Sequence, residues 1–193
     1  MALFSLSELR GRGASRIRTE SYLGASQTAS QKLANESAAY DARKTYDIFL
    51  SHSALDADVI YGLKIELEGR GFSVYVYWIE DPQARESVDA TTAAKLKVRM
   101  HNCKGLLYAA SENASVSRWM PWELGYFGGV KNQVAIAPIE SKDRSVYFTG
   151  FKGQEYLDLY PYISVSDGTD NALWVWNRGA KPVSPLRVWL EKQ

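Results

Sequence analysis

The sequence is poor in the features that stabilise small secreted proteins or that bind polyanions and membranes. Cys103 is the single cysteine among 193 residues, so neither an internal disulfide nor a structural zinc site is expected. The formal net charge is +1, from 23 basic and 22 acidic side chains, which gives no long-range field to hold nucleic acid. No apolar run reaches the roughly 18 residues of a membrane-spanning helix. We therefore expect a cytoplasmic protein that binds no nucleic acid, membrane or metal.

The composition is that of a globular protein. Hydrophobic residues make up 46% and charged residues 23% of the chain, which predicts one domain with an appendage. Residues 1–44 are rich in alanine, serine, glutamine and arginine, and we expect an N-terminal extension that is partly helical or disordered. Its residues 25–44 predict a mostly exposed helix. Residues 45–193 are predicted to form the main domain with a C-terminal elaboration.

From Thr45 onward, short apolar segments alternate with segments of helical periodicity. Predicted strands cover residues 45–50, 72–78, 105–110, 133–139 and 157–165. A helix is predicted at 117–129, closed by two glycines, and the last twenty or so residues are expected to end in another helix. This alternation predicts an α/β fold, a doubly wound five-stranded parallel sheet with helices on both faces.

The predicted topology indicates where a ligand would bind. In a sheet of the common strand order 2-1-3-4-5, ligands lie beyond the carboxyl ends of the first and third strands. The loops after those strands, residues 51–56 and 111–117, are rich in small hydrogen-bonding side chains. The second loop leads into a helix on which Trp119 and Glu123 share a face.

Two interpretations of this pair remain open. An indole and a carboxylate could hold a planar ring and a hydroxylated sugar. Alternatively, the helix macrodipole favours a glutamate near a helix N-terminus, and tryptophan often lies in a core.

Three segments resemble the TIR domains of bacteria: TYDIFLSHSALD at 45–56, GFSVYVYWIEDP at 71–82 and residues 102–127. The specific feature is the pairing of a D-x-F-x-S-H start with an S-x-W-x-x-x-E helix roughly sixty residues later. The resemblance covers residues 45–140 and implies a flavodoxin-like fold.

Many TIR domains cleave NAD+ between nicotinamide and ribose, and the resemblance implies that Glu123 is the catalytic residue. It further implies that the nucleotide site includes Phe49, Ser51, His52, Ser53 and Trp119. Nicotinamide leaves as a neutral molecule, so one ionised carboxylate that stabilises the oxocarbenium-like ribose suffices. NAD+ is then the substrate, and no separate cofactor is expected.

Other roles remain open for two residues of the first loop. His52 is equally suited to satisfying backbone groups of the turn, and Asp56 is expected to cap the first helix of the domain. The loop at 80–88 lacks the glycine that is common in TIR domains, where this loop contributes to self-assembly.

Three functions therefore follow as hypotheses. The first is an NAD+ nucleosidase or cyclase of anti-phage defence, which yields ADP-ribose or a cyclic or modified ADP-ribose that a separate effector protein would sense. The second is a non-catalytic TIR module that acts by self-association. The third is a nucleoside-processing enzyme of the flavodoxin-like type, which would also cleave free nucleosides. Self-association is expected for the first as well as the second.

Overall fold

The computed structural model describes residues 3–22, 27–78, 89–140, 151, 154–166, 172–177, 179 and 181–192. The strands are β1 (Phe4–Ser5), β2 (Tyr46–Ser51), β3 (Val74–Tyr75), β4 (Cys103–Ala110), β5 (Val134–Glu140), β6 (Tyr162–Val165), β7 (Leu173–Asn177) and β8 (Lys181–Pro185). The α-helices are α1 (Leu6–Tyr22), α2 (Ala29–Ala38), α3 (Ala57–Gly69), α4 (Ala90–His101), α5 (Trp119–Lys131) and α6 (Leu186–Leu190). Short 3₁₀ turns lie at Ala54–Asp56, Glu112–Val116 and Glu155–Leu159. None of the helices in these ranges is long and apolar enough to cross a membrane.

The sheet has the order β3-β2-β4-β5-β6-β7-β8. The five strands β2, β3, β4, β5 and β6 are parallel to one another. When they are numbered 1 to 5 in chain order, their order in the sheet is the predicted 2-1-3-4-5. The α/β class and the doubly wound parallel core are thus confirmed. The prediction of five strands is wrong, because β7 and β8 extend the sheet in antiparallel fashion and β1 pairs with the last residues of β5.

Both faces of the sheet are buried, because side chains alternate along each strand. Ile48 and Leu50 of β2 pack into one apolar cluster with residues of α1 and α3. Phe49 points to the opposite cluster, which contains residues of α4 and α5. The continuous apolar runs of the sequence therefore reflect a sheet sandwiched between two helical layers.

The N-terminal extension packs against the main domain through α3. Helices α1 and α3 meet at two glycines: a Cβ at Gly13 would lie 2.9 Å from the carbonyl oxygen of Asp58, and one at Gly62 would overlap the carbonyl oxygen of Leu9. Helix α2 lies in the segment 25–44, for which a mostly exposed helix is predicted. It instead buries one face, with Leu33 at the centre of that face. The alanines and serines on this face are small enough for close packing. The proposed boundary at residue 45 stays a prediction.

The predicted end of one helix differs from the structure, whereas the helix expected near the end of the chain is present. Helix α5 runs through the glycine pair at 128–129 to Lys131 and is capped by Asn132, which adopts the left-handed conformation with φ of 55°. Asparagine tolerates this conformation, so it closes the helix in place of glycine. The C-terminal helix α6 has five residues and buries Trp189, whereas Trp174 and Trp176 belong to β7.

Candidate active site

A cavity of about 420 Å³ opens at the carboxyl ends of the parallel strands. It lies where the loops after β2 and β4 meet the first turn of α5, as the topology predicts. Four of the predicted site residues line it: His52, Ser53, Trp119 and Glu123. The prediction of the site's place and of these four residues' proximity therefore agrees with the geometry.

Glu123 is a buried carboxylate aimed into this cavity. Its helix begins at Trp119, and Pro121 falls within the first turn, where a missing N–H costs little. The residue is 7% exposed, and the Ser51 hydroxyl donates a hydrogen bond of 2.5 Å to Oε2. Burial raises the pKa of Glu123 to about 7, against the opposing effect of the Ser51 hydrogen bond. The side chain can thus exchange a proton near neutral pH.

The two serines of the first loop have different tasks. Ser51 is the last residue of β2, is fully buried and reaches Glu123 from the sheet side. The Ser53 hydroxyl accepts the backbone N–H of Leu55 at 3.3 Å and so begins the 3₁₀ turn. Ser51 therefore counteracts part of the rise that burial causes in the pKa of Glu123, and Ser53 shapes the cavity rim.

His52 satisfies a backbone group of the turn and also lies at the cavity, whereas its role in nucleotide binding stays a prediction. Its Nδ1 lies 2.9 Å from the carbonyl oxygen of Leu50, and this oxygen can only accept, so Nδ1 carries the proton. Its ring stacks on Trp78 with a centroid separation of 4.9 Å and an interplanar angle of 8°. The imidazole thus satisfies the turn and also lines the cavity.

Asp56 does not cap a helix through its side chain, contrary to the expectation. It is 3% exposed, and its two carboxylate oxygens accept from Ser111 Oγ at 2.5 Å and Asn113 Nδ2 at 2.7 Å. The carboxylate therefore ties the loop after β2 to the loop after β4. This bridge fixes the two loops that form the site.

Trp119 is both wall and anchor. It lines the cavity and meets the edge of Trp122 at 5.4 Å with an interplanar angle of 82°. Trp122 in turn stacks on Tyr126. These contacts hold the indole of Trp119 at the helix start.

Phe49 is not brought to the cavity. Its ring is 1% exposed and packs 6.0 Å from that of Tyr75 in the core. It lies two residues before Ser51 on the same face of β2, and so one step deeper below the site. A direct role of Phe49 in nucleotide binding stays a prediction.

Sequence reasoning missed the aromatic residues at the end of the second strand. Tyr77 and Trp78 line the cavity beside His52. The sequence could have indicated these residues, because the predicted strand at 72–78 is parallel to the strand at 45–50 and ends at the same edge of the sheet. The loop that follows, including the departure noted at 80–88, lies outside the described residues.

Within the described ranges, no three acidic, histidine or cysteine side chains come together as a metal site. The described part of the cavity offers a buried carboxylate that accepts a hydroxyl hydrogen bond, together with aromatic walls. This arrangement suits stabilisation of a cationic sugar.

Comparison with known proteins agrees with the geometry. No family model matches the chain. It is 43% identical over 196 aligned residues, covering 100% of both chains, to a Bacillus cereus (strain MSX-D12) protein named "Probable 3' cyclic ADP-D-ribose synthase ThsB'". It is 33% identical over 86 residues, 44% of this chain and 23% of the relative, to a Cytobacillus dafuensis protein named "Putative cyclic ADP-D-ribose synthase TIR2".

Fold and site together define a flavodoxin-like domain with a buried glutamate, Glu123, lining a cavity at the switch point of its sheet. With the full-length relative, this places the chain in the bacterial TIR-domain family of the NAD+-cleaving type.

Proposed function

We propose that this protein cleaves NAD+ at the bond between nicotinamide and ribose and closes the remaining ADP-ribose into a cyclic product. The observation that carries the proposal is Glu123, buried beside Ser51 in a cavity with aromatic walls. The names of both relatives, cyclic ADP-D-ribose synthases, support a cyclic product over simple hydrolysis.

The chemistry follows from the position of the acid. When the glycosidic bond breaks, its electron pair leaves with nicotinamide, and positive charge develops on the ribose. The ionised Glu123 stabilises that charge in a site where water screens it little. A hydroxyl of the same molecule then attacks the ribose carbon and gives up a proton. Glu123 can accept this proton, because its pKa of about 7 lies near the working pH.

The cavity walls favour the internal attack over attack by water. Trp78 and Trp119 line the cavity, and their rings occupy space that water would otherwise fill. A folded dinucleotide held between them places its own hydroxyl near the reacting carbon, and this proximity accelerates ring closure.

The test is turnover of NAD+ by the purified protein and by its Glu123→Gln variant, with the products separated by chromatography. We expect nicotinamide and a cyclic ADP-ribose from the parent protein and at least about 100-fold less from the variant. Free nucleosides should not react. Equal turnover by both proteins, or cleavage of free nucleosides, would contradict the proposal.

Several wider proposals accompany this function. We propose that the protein self-associates, needs no separate cofactor, acts in the cytoplasm and serves anti-phage defence by making a signal for a separate effector. Support for self-association comes from Leu55 and Val116, which line the cavity yet are 70% and 67% exposed. Such apolar residues favour a second subunit at the cavity mouth. Specific activity should then rise with protein concentration from nanomolar to high micromolar.

A further inference from the structure

The helix α2 of the N-terminal extension holds one wall residue of the cavity by two hydrogen bonds. The backbone N–H of Trp78 donates to Ser37 Oγ at 3.0 Å. The indole Nε1–H of the same residue donates to Ser30 Oγ at 3.0 Å. Both the main chain and the ring of Trp78 are thus fixed by one helix, and the residue is 5% exposed.

Helix α2 is itself firmly placed. Its first turn carries a reciprocal capping box between Thr28 and Gln31. Leu33 is fully buried against the main domain. Glu36 pairs at 2.8 Å with Lys64 of α3, whose side chain is 9% exposed. A side chain bonded to this helix therefore has a rigid support.

The contacts continue from Trp78 to the reaction cavity. The indole lies nearly parallel to the His52 ring, 4.9 Å away, and His52 is fixed in turn by the carbonyl oxygen of Leu50. Trp78 and His52 line the same cavity as Glu123. An unbroken series of contacts runs from Ser30, through two stacked rings, to the substrate cavity.

We propose that α2 is a positioning element for substrate binding, in which Ser30 and Ser37 hold the Trp78–His52 pair as a fixed aromatic wall for NAD+. The proposal rests on the function proposed above and extends it to a segment that precedes the TIR-like part of the sequence. Ser30 and Ser37 act through Trp78 and do not touch the substrate. A loosened indole must be ordered again when substrate binds, so the cost falls on binding before chemistry.

The experiment measures KM and kcat for NAD+ in four variants of this contact. Ser30→Ala removes the acceptor and Trp78→Phe removes the indole donor while keeping an aromatic ring. We expect either change to raise KM about fivefold and to leave kcat within about twofold. The double variant should raise KM no more than the larger of the two single changes, since both changes break the same hydrogen bond. Ser30→Thr keeps the hydroxyl and should restore a KM near that of the parent.

Asn35→Ala is the matched control, because Asn35 lies on the exposed side of the same helix. It should leave both constants unchanged. An unchanged KM in Ser30→Ala and Trp78→Phe, with normal turnover by the parent, would overturn this inference alone. Additive effects in the double variant would also overturn it, because Ser30 would then act on another group. Absence of turnover by the parent protein would instead overturn the proposed function.

Discussion

Two buried carboxylates lie at the same edge of the sheet and differ in their partners. Asp56 receives hydrogen bonds on both oxygens, from Ser111 and Asn113. Glu123 receives one, from Ser51, and faces the cavity. Each is under one-tenth exposed, so burial alone does not distinguish them.

The number of hydrogen-bond donors distinguishes the structural role of Asp56 from the catalytic role proposed for Glu123. Two donors on separate oxygens leave Asp56 committed to joining two loops. A single donor leaves Glu123 with an oxygen for substrate and with a pKa raised by burial. The same kind of group thus supports the site in one place and has the proposed catalytic role in the other.

The largest expected effect is on the pH dependence of NAD+ cleavage. The proposed reaction needs an ionised Glu123, whose pKa is about 7, so activity should fall about tenfold for each pH unit below that value. At pH 5 it should therefore be roughly one-hundredth of the plateau rate. Initial rates across pH 5 to 9 measure this, and a flat profile from pH 5 to 7 would disprove the assignment of Glu123.

The second effect is on stability. Glu123 binds its proton more tightly in the folded protein, where its pKa is about 7 against an ordinary 4.5. Its contribution to folding is thus complete below pH 4.5 and is lost as the pH rises through 7. The Glu123→Gln side chain cannot ionise. The free energy of unfolding of this variant should therefore exceed that of the parent protein by about 3 kcal/mol at pH 8 and equal it at pH 4. Urea unfolding at both pH values tests this, and an equal difference at the two would refute it.

The third effect concerns the structural acid. Asp56→Ala leaves the Ser111 and Asn113 donors without their buried acceptor, so the free energy of unfolding should fall by about 2 kcal/mol. Asp58→Ala is the control, since Asp58 is exposed in the first turn of α3. It should change stability by less than about 0.5 kcal/mol. Similar losses in the two variants, in urea at pH 7, would argue against the loop-bridging role.

The smallest effect is on the position of the pH profile. The Ser51 hydrogen bond lowers the pKa of Glu123, so Ser51→Ala should move the acidic limb to higher pH. Activity at pH 7 should drop by roughly threefold to tenfold, with recovery at higher pH. Ser53→Ala provides the comparison, because the Ser53 hydroxyl bonds to Leu55 and not to Glu123. The acidic limb of the pH profile should keep its position in Ser53→Ala. If the limb also stayed in place in Ser51→Ala, the Ser51 hydrogen bond would have little influence on the pKa of Glu123.

Local patterns predicted the parts of the fold that depend on local physics. The parallel core could be predicted because apolar runs alternate with helical periods, and the site edge follows from strand order. Trp119 and Glu123 share a helix face by spacing alone. The placement of Ser51 next to Glu123 is different, since it joins residues 72 positions apart and depends on how β2 packs under α5.

The remaining features depend on tertiary contacts between distant segments. Ser30 and Ser37 look like surface serines of a weak helix, and only the docking of α2 gives them Trp78 as a partner. Likewise, the two donors that take Asp56 away from helix capping come from another loop. No local pattern in one sequence encodes either pairing.

The pairing of β1 with β5 has a consequence for synthesis of the chain. Phe4 lies beside Ile139 and Ser5 beside Glu140 in a parallel ladder. Residues 4–5 leave the ribosome long before their partners are made, so this ladder cannot form until β5 has been synthesised. Until then, the buried ring of Phe4 is exposed and available to a chaperone.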